Sequence, residues 1–417
     1  MSTEWRECSL GDVLELKRGY DLPDRERRPG TVPIVSSGGI SGTHDEPKVV
    51  APGVVTGRYG TLGLVFYLEQ DYWPLNTTLY VRDFKGNDPH FISYFLRSLD
   101  FSAYSDKAAV PGLNRNHLHE ARVRLPPLSV QRQITQVLSV LDSKIELNRQ
   151  MNETLEAMAR ALFKSWFVDF DPVRAKMAGR APFGMNAATA ALFPATLAGV
   201  GWTQQPDVPS GWSVLPIRDV VEGVYDGPHA TPPDATSGPI FLGIRNFRPT
   251  GLDFTEVKHI AESDWPAWTR RVTPTAGDIV FTYEATLGYF GVVPVGVRCC
   301  LGRRTALVRP RALRLDGNYL FHWFIGSPFQ AHLQAHKNPG STVDRILLRD
   351  FPDYPVLAPP RAIVETFAQM VAPMGAKLET NQAESRTLAE LRDLLLPKLL
   401  SGELRIRDAE KAVEAVI

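Results

Sequence analysis

LPPLSVQRQITQVLSVLDSKIELNRQMNETLEAMARALFKSWF, from Leu125 to Phe167, decides the architecture of this chain. APPRAIVETFAQMVAPMGAKLETNQAESRTLAELRDLLLPKLL, from Ala358 to Leu400, repeats its plan 233 residues later without a gap. Each stretch starts with a double proline, which suits the first turn of a helix because the missing N–H has no partner there anyway. In the first, steps of four and three pick out Ile134, Leu138, Leu141, Ile145, Asn148, Asn152, Leu155, Ala159, Leu162 and Trp166. That is a heptad seam with a polar break at its middle. The copy runs Phe367, Val371, Met374, Leu378, Asn381, Ser385, Leu388, Arg392, Leu395 and Leu399, with the break in the same place. A single seam of this kind belongs to a helix packed on its own domain. Two matched seams each supply the partner the other needs. The spacing therefore predicts two long helices paired with each other, over 128–168 and 359–402, with Asn148 and Asn381 fixing the register of the pair. Residues 128 to 166 would span about 58 Å at 1.5 Å rise per residue.

The repeat continues upstream with an offset that only grows. Trp5 and Leu10 to Val13 meet Trp212 and Ile217 to Val220 at 207, and Thr61-Leu62-Gly63 meets Thr286-Leu287-Gly288 at 225. Phe91 to Ser98 meets Tyr319 to Gly326 at 228, as Pro111-Gly112 meets Pro339-Gly340. Loop insertions turn a duplicated unit into this pattern. Each globular half reads as short strands between glycine and proline punctuation. In the first half these are 32–35, 54–55, 64–67 and 79–81, with a helix near Pro89 to Leu99; in the second, 240–242, 278–281 and 306–308, with a helix near Tyr319 to Ile325. The fold class is α+β: two similar α/β domains (1–127 and 207–358) separated by two long coiled-coil helices, with an internal repeat. A proline- and alanine-rich connector fills 169–206, with Phe193-Pro194 as its local anchor, and a tail fills 403–417.

At 417 residues and 44% hydrophobic content the chain can bury at least two cores. Lysine plus arginine and aspartate plus glutamate balance at 46 each, so no global field draws it to a polyanion and any such binding rests on local patches. No run approaches the ~18 apolar residues of a membrane span, and no leader pattern opens the sequence. Cys8, Cys299 and Cys300 form neither a disulfide framework nor a zinc spacing, which fits a reducing cytoplasm.

Catalytic patterns are thin. Pro233-Asp234 with Glu256-Val257-Lys258 spells the order of metal-dependent nucleases, but Asp234 lies in a Pro-Pro-Asp-Ala-Thr-Ser-Gly loop rather than on a strand. His332 and His336 stand at i and i+4 with no third ligand, which reads as a partly exposed helix face. Gly57, Gly60 and Gly63 lack the lysine of a phosphate loop, and the Pro-Pro-aromatic motif of amino-methyltransferases is absent. Arginines are better placed. Arg298 to Arg314 holds six arginines and no acid, and Lys17, Arg18, Arg25, Arg27 and Arg28 give the first half a comparable cluster. Arginine serves both as a charge for phosphate and as a planar fork for guanine O6 and N7. The candidate DNA contacts are Lys17, Arg18, Arg28, Ser36, Ser37, Arg58, Tyr59, Asn114, Arg115 and Asn116 in the first half. In the second they are His229, Arg245, Asn246, Arg298, Arg303, Arg304, Ser341, Thr342 and Arg345. Many stand on glycine-rich loops, where the backbone can approach a duplex closely.

The chain resembles the specificity subunits of type I restriction-modification systems over nearly its whole length. The resemblance rests on the tandem halves, Leu125 to Ile134, Phe163 to Lys176, Asp226 to Pro232, Pro339 to Thr342 and Leu395 to Gly402. One departure is Arg361-Ala362-Ile363-Val364-Glu365, where a glutamine is expected after the second double proline. The resemblance implies a non-enzymatic subunit with two target-recognition domains held apart by the two coiled-coil helices, which are antiparallel and related by a pseudo-two-fold axis, each domain reading one part of a bipartite site on double-stranded DNA. It also implies that the helices dock modification (methyltransferase) subunits and, through them, a restriction subunit. S-adenosylmethionine, ATP and magnesium are then expected on those partners and no cofactor on this chain, in the cytoplasm of a bacterium or archaeon. The competing classes are a twin-domain protein-binding scaffold and the metal-dependent nuclease.

Overall fold

The computed structural model describes residues 5–59, 62–104, 112–198, 207–338 and 343–417. The chain packs as two units, Met1–Arg149 with Gln382–Ile417, and Gln150–Asn381. Both divisions fall inside the long helices, so each unit owns one globular half and a stretch of each helix.

In the first unit, strands β1 (Glu15–Arg18), β2 (Gly53–Gly57), β3 (Val65–Leu68) and β4 (Thr78–Asp83) form an antiparallel sheet of order β1-β4-β2-β3. Val54 and Val55 on the inner strand β2 are fully buried, as expected of a β-branched run covered on both faces. Beside it Val32–Ser36 pairs antiparallel with Gly39–His44 and parallel with Trp73–Pro74. Arg6–Ser9 pairs antiparallel with Arg122–Leu125, closing the domain just before the double proline. Helix α1 (Pro89–Arg97) starts at Asp88, whose side chain accepts the Phe91 N–H at 2.7 Å, and buries Phe91, Ile92, Tyr94, Phe95 and Leu96.

The second unit repeats this plan. Strands β5 (Val221–Asp226), β6 (Ile279–Glu284), β7 (Thr286–Val292) and β8 (Thr305–Pro310) give the order β5-β8-β6-β7, the same topology. Ala235–Leu242 pairs antiparallel with Lys258–His259 and parallel with Cys299–Leu301. Ser213–Pro216 pairs with Pro355–Ala358. Asp316 caps the matching helix, Gly317–Ile325. The duplication thus extends from the helices to three sheets of each domain, while the Phe247–Arg248 and Gly251–Leu252 hairpin of the second has no counterpart among the described residues of the first.

Helix α2 (Leu128–Phe167) has 40 residues and α3 (Arg361–Ser401) has 41. Every seam position is buried or half-buried. In the first unit the Asn148 amide donates to Glu384 at 2.8 Å and to Ser385 at 3.3 Å, and Arg392 reaches Asp142 at 2.7 Å. In the second, Asn381 donates to Asn152 at 2.8 Å while Phe367 packs on Phe163 and Phe167. Partner numbers run in opposite directions, so the helix stretches are antiparallel within each unit. A shift of 233 residues turns the Asn148–Ser385 bond into the Asn381–Asn152 bond. The two polar positions therefore do the same job in both units.

The helix starts differ, for a visible reason. Gln131 is buried; its amide donates to Asn87 at 2.8 Å and to the Pro126 carbonyl at 2.9 Å, and its oxygen accepts the Asp88 N–H at 3.0 Å. Its counterpart Val364 instead packs into the apolar core. The segment 403–417 is more than a tail, since it holds helix α4 (Ile406–Glu414) with Ala409 and Val413 buried. The connector also carries short helices, Asp171–Met177 and Ala187–Leu192, and Phe193 anchors it edge-on to Trp166 at 5.2 Å. Among the described residues no helix is long and apolar enough to cross a membrane.

Candidate nucleic-acid interface

Backbone hydrogen bonds gather several loops at one end of each four-stranded sheet. In the first unit the Arg58 N–H, just past β2, donates to the Thr77 carbonyl at 2.8 Å, and Gly19, just past β1, donates to Thr78 at 3.1 Å. Leu113 donates to the Arg58 carbonyl at 2.9 Å, which brings Asn114, Arg115 and Asn116 alongside. Leu75 donates to the Val35 carbonyl at 2.8 Å, so the Ser36–Gly39 turn adjoins the same end. Gly19 is required here, because a Cβ would stand 2.2 Å from the Leu75 carbonyl oxygen. The end collects Arg18, Ser36, Ser37, Arg58, Tyr59, Asn114, Arg115 and Asn116. Lys17 lies next to it against Tyr20, and the Arg58 guanidinium lies 4.6 Å from the centre of the exposed Tyr59 ring.

The second unit uses the same frame. Gly227 donates to the Thr305 carbonyl at 3.1 Å, Tyr283 to Arg304 at 3.2 Å, Ile346 to Tyr283 at 2.8 Å and Gly302 to Leu242 at 2.9 Å. His229, Arg245, Arg303, Arg304 and Arg345 are thereby brought to the corresponding end. Arg303, Arg245 and Arg345 are exposed, whereas Arg304 is half-buried and paired with Glu284 at 2.9 Å.

Other candidates prove to be structural. Arg28 lies toward the open end of its hairpin, away from the turn, between Asp45 at 2.7 Å and Glu46 at 3.5 Å. Its hydrogen bond holds the Asp45 carboxyl below the usual carboxylate range, a local ion pair rather than a free charge for phosphate. Arg298 is forked onto Glu262 at 2.9 and 3.2 Å and lies over the Trp265 ring. Asn246 is buried: it accepts the Gly243 N–H and donates to the carbonyls of Asp253 and Glu256, so it staples a loop and cannot reach a base. Asn114 spends its side-chain oxygen on the Asn116 N–H as a helix cap, leaving Arg115 and Asn116 outward. Arg309 grips the buried Asp278 with two nitrogens, at 2.8 and 2.7 Å. Counting arginines between 298 and 314 therefore overstates the charge available there. Ser341 and Thr342 lie outside the described residues.

Sequence reasoning missed Trp268, Arg270 and Arg271. With Asp226, Gly227, Pro228 and His229 they line a cleft of about 240 Å³ floored by Leu301. Asp226 binds the Arg271 guanidinium with one oxygen and the His229 ring, at 3.1 Å, with the other. The available signal was Trp265-Pro-Ala-Trp268-Thr-Arg270-Arg271, aromatics interleaved with arginines where the repeat offset steps from 207 to 225.

The nuclease pattern resolves into an ion pair. Lys258 Nζ lies 2.6 Å from the exposed Asp234, whose carboxyl it lowers, and the Glu256 carbonyl serves the Asn246 staple. Among the described residues no group of three or more histidines, cysteines or acids is placed to hold a metal ion. His332 is buried rather than on an open helix face; it stacks on His336 at 4.0 Å, and burial pushes its pKa down to about 4. Burial likewise pushes the Cys299 and Cys300 thiols up to about 12, which removes them as nucleophiles at neutral pH.

Residues 2–157 match the family described as type I restriction modification DNA specificity domain. A type I restriction enzyme HindI specificity subunit of Haemophilus influenzae is 24% identical, over 96% of this chain and all of that protein. A type I restriction enzyme MjaIX specificity subunit of Methanocaldococcus jannaschii is also 24% identical, over 80% of this chain and 74% of that protein. Among solved structures, the S subunit of a type I restriction-modification system from M. genitalium shares the fold, with a TM-score of 0.54 at 15% identity over 95% of this chain and 96% of that one.

Proposed function

We propose that the chain is a specificity subunit of a type I restriction-modification system, as its family match and its relatives support, and that each of its two sheet ends reads one part of a bipartite DNA site. The observation that carries the reading is the frame built twice from the same backbone bonds, with different side chains set on it. Arg18, Arg58 and Arg115 face one half-site; His229, Arg303 and Arg345 face the other. Exposed arginines at loop tips serve phosphates and set position, while the forked or aromatic side chains beside them select bases.

On this reading the chain supplies recognition and no chemistry of its own. The modification subunits, docked on the helices, would bring S-adenosylmethionine, and a restriction subunit would bring ATP and magnesium, in the cytoplasm where the DNA is. The decisive experiment maps methylated bases in cells carrying this chain with its modification partner. The expected result is one split motif with a fixed gap, and methylation without sequence preference would end the reading. A gel-shift titration separates it from a protein-binding scaffold, since DNA affinity should fall with log salt by a slope of about 0.9 per phosphate contacted. Cleavage or methylation by the purified chain alone, given magnesium and S-adenosylmethionine, would contradict the non-catalytic assignment.

A further inference from the structure

Resting on the DNA-recognition reading, we propose that Arg271, held by Asp226 beside His229 and Trp268, reads a guanine in the half-site of the second domain. The cleft is held in place by backbone. A Cβ on Gly227 would stand 2.5 Å from the Gly302 carbonyl oxygen and 2.8 Å from Leu301 Cβ, so the exit of β5 is pressed onto strand Cys299–Leu301. The Gly227 N–H is spent on Thr305. On the opposite wall Trp268 meets Phe241 edge-to-face at 5.5 Å, which fixes its indole.

Within this frame Asp226 is the lesser exposed partner, at 24%, while 50% of the Arg271 side chain and 62% of the His229 side chain stand open. A carboxylate that grips one guanidinium nitrogen leaves further N–H donors free. It also fixes the side chain before DNA arrives, which lowers the ordering cost of binding. Two free donors in a planar fork match O6 and N7 of guanine in the major groove, a match that a lysine ammonium cannot make. His229 donates Nε2–H to the same carboxylate, which leaves its Nδ1 as an acceptor on a largely exposed ring. The first half carries Arg18-Gly19-Tyr20-Asp21 at the place of Asp226-Gly227-Pro228-His229, so this readout belongs to one half-site alone.

The test uses the complex of the full chain with its modification subunits. Once methylation mapping defines the wild-type site, binding is measured on duplexes carrying each single base-pair change. Arg271→Lys keeps the charge and should keep the salt slope, but it should lose about 10- to 100-fold of discrimination at one G·C pair of the second half-site. Arg271→Ala should relax that same position and leave the first half-site intact. Unchanged discrimination in both variants overturns the proposal. Uniform weakening across all duplexes, with a salt slope smaller by about 1 in the alanine variant, overturns it by making Arg271 a phosphate contact. A wild-type complex without any sequence preference overturns the broader DNA-recognition reading, whereas a selective wild type with unaltered variants removes only this assignment.

Discussion

Asp142, on α2, ties three elements of the first unit together and should be its most sensitive polar position. Its carboxylate accepts from the Tyr94 hydroxyl of α1 at 2.7 Å and from Arg392 of α3 at 2.7 Å, with Arg97 at 3.5 Å. Tyr94 is fully buried, while Arg392 and Asp142 are about a quarter exposed. Hydrogen bonds to a charged acceptor contribute about 1.5–3 kcal/mol each, and an unsatisfied buried hydroxyl costs about 1–3 kcal/mol. Partial exposure screens the arginine contribution. Asp142→Ala should therefore cost about 2–4 kcal/mol, and Tyr94→Phe about 1 kcal/mol. The two changes share a contact, so a cycle of Asp142→Ala with Arg392→Ala should show about 1–2 kcal/mol of coupling. Counterparts of Tyr94, Asp142 and Arg392 in the second unit are His322, Gly375 and Ala159, which cannot build this network. The assay is urea unfolding read by hydrogen exchange on peptides from residues 78–104 and 128–149. Protection should fall there and hold steady over 279–325. Additive single mutants, or a loss below about 0.5 kcal/mol, the scale of an ordinary surface change, would refute the reasoning.

Four helical residues inserted at both 149/150 and 381/382 keep each unit's own contacts and add about 6 Å of helix. At about 3.4 Å per base pair, methylation mapping should show the same half-sites one or two base pairs further apart; an unchanged gap would mean the helices do not set it. Replacing residues 5–124 by the corresponding segment of a relative should change one half-site in the mapped motif and preserve the other, provided Asn87, Asp88 and Tyr94 are kept for Gln131 and Asp142. Burial holds the His332 pKa at about 4 against 6.5 when unfolded, so the unfolded chain binds the proton first as pH drops. The stability from keeping His332 neutral is complete above about pH 6.5 and is lost progressively toward pH 4; His322, also pushed down by burial, acts with the same sign. The urea midpoint of the second unit should be lower at pH 5 than at pH 7, and His332→Gln should flatten that difference.

The long helices and part of the sheets were legible because they depend on local periodicity and on an offset between copies. The seam from Ile134 to Trp166 names its buried face directly, and the growing offset sets the Phe91–Ser98 helix on its twin, whereas Glu15–Arg18, Gly39–His44, Val221–Asp226 and Thr286–Val292 form strands that the sequence did not announce. The site was legible only in part because charge and partner lie far apart in sequence. Arg298 looks available until Glu262, 36 residues earlier, takes it, and Arg28 is matched by Asp45, 17 residues later. Asp226 and Arg271 are 45 residues apart, with strand Ala235–Leu242 lying between them in sequence. Asn246 stands among loop residues of the kind that reach bases, yet three hydrogen bonds bury it. Nothing in the sequence around it announces that.

The proposed recognition end is built to change without cost to the fold. Its frame consists of backbone bonds: Arg58 to Thr77 and Leu113 to Arg58 in one domain, Tyr283 to Arg304 and Ile346 to Tyr283 in the other. None of these bonds depends on the side chain at the donor or acceptor position. Close approaches demand glycine at Gly19 and Gly227, which occupy equivalent places in the two domains, and at Gly302 against the Leu242 carbonyl oxygen. Beneath the frame, the domains differ where a different surface would not require it: an Asp142 ion network in one unit stands against Phe163, Phe167 and Phe367 in the other. Each half therefore carries its own core and its own helix contacts under a shared topology. Side chains on the loops can then diverge between halves while strand order, register and the antiparallel helix contacts stay fixed, which is what separate reading of two half-sites requires.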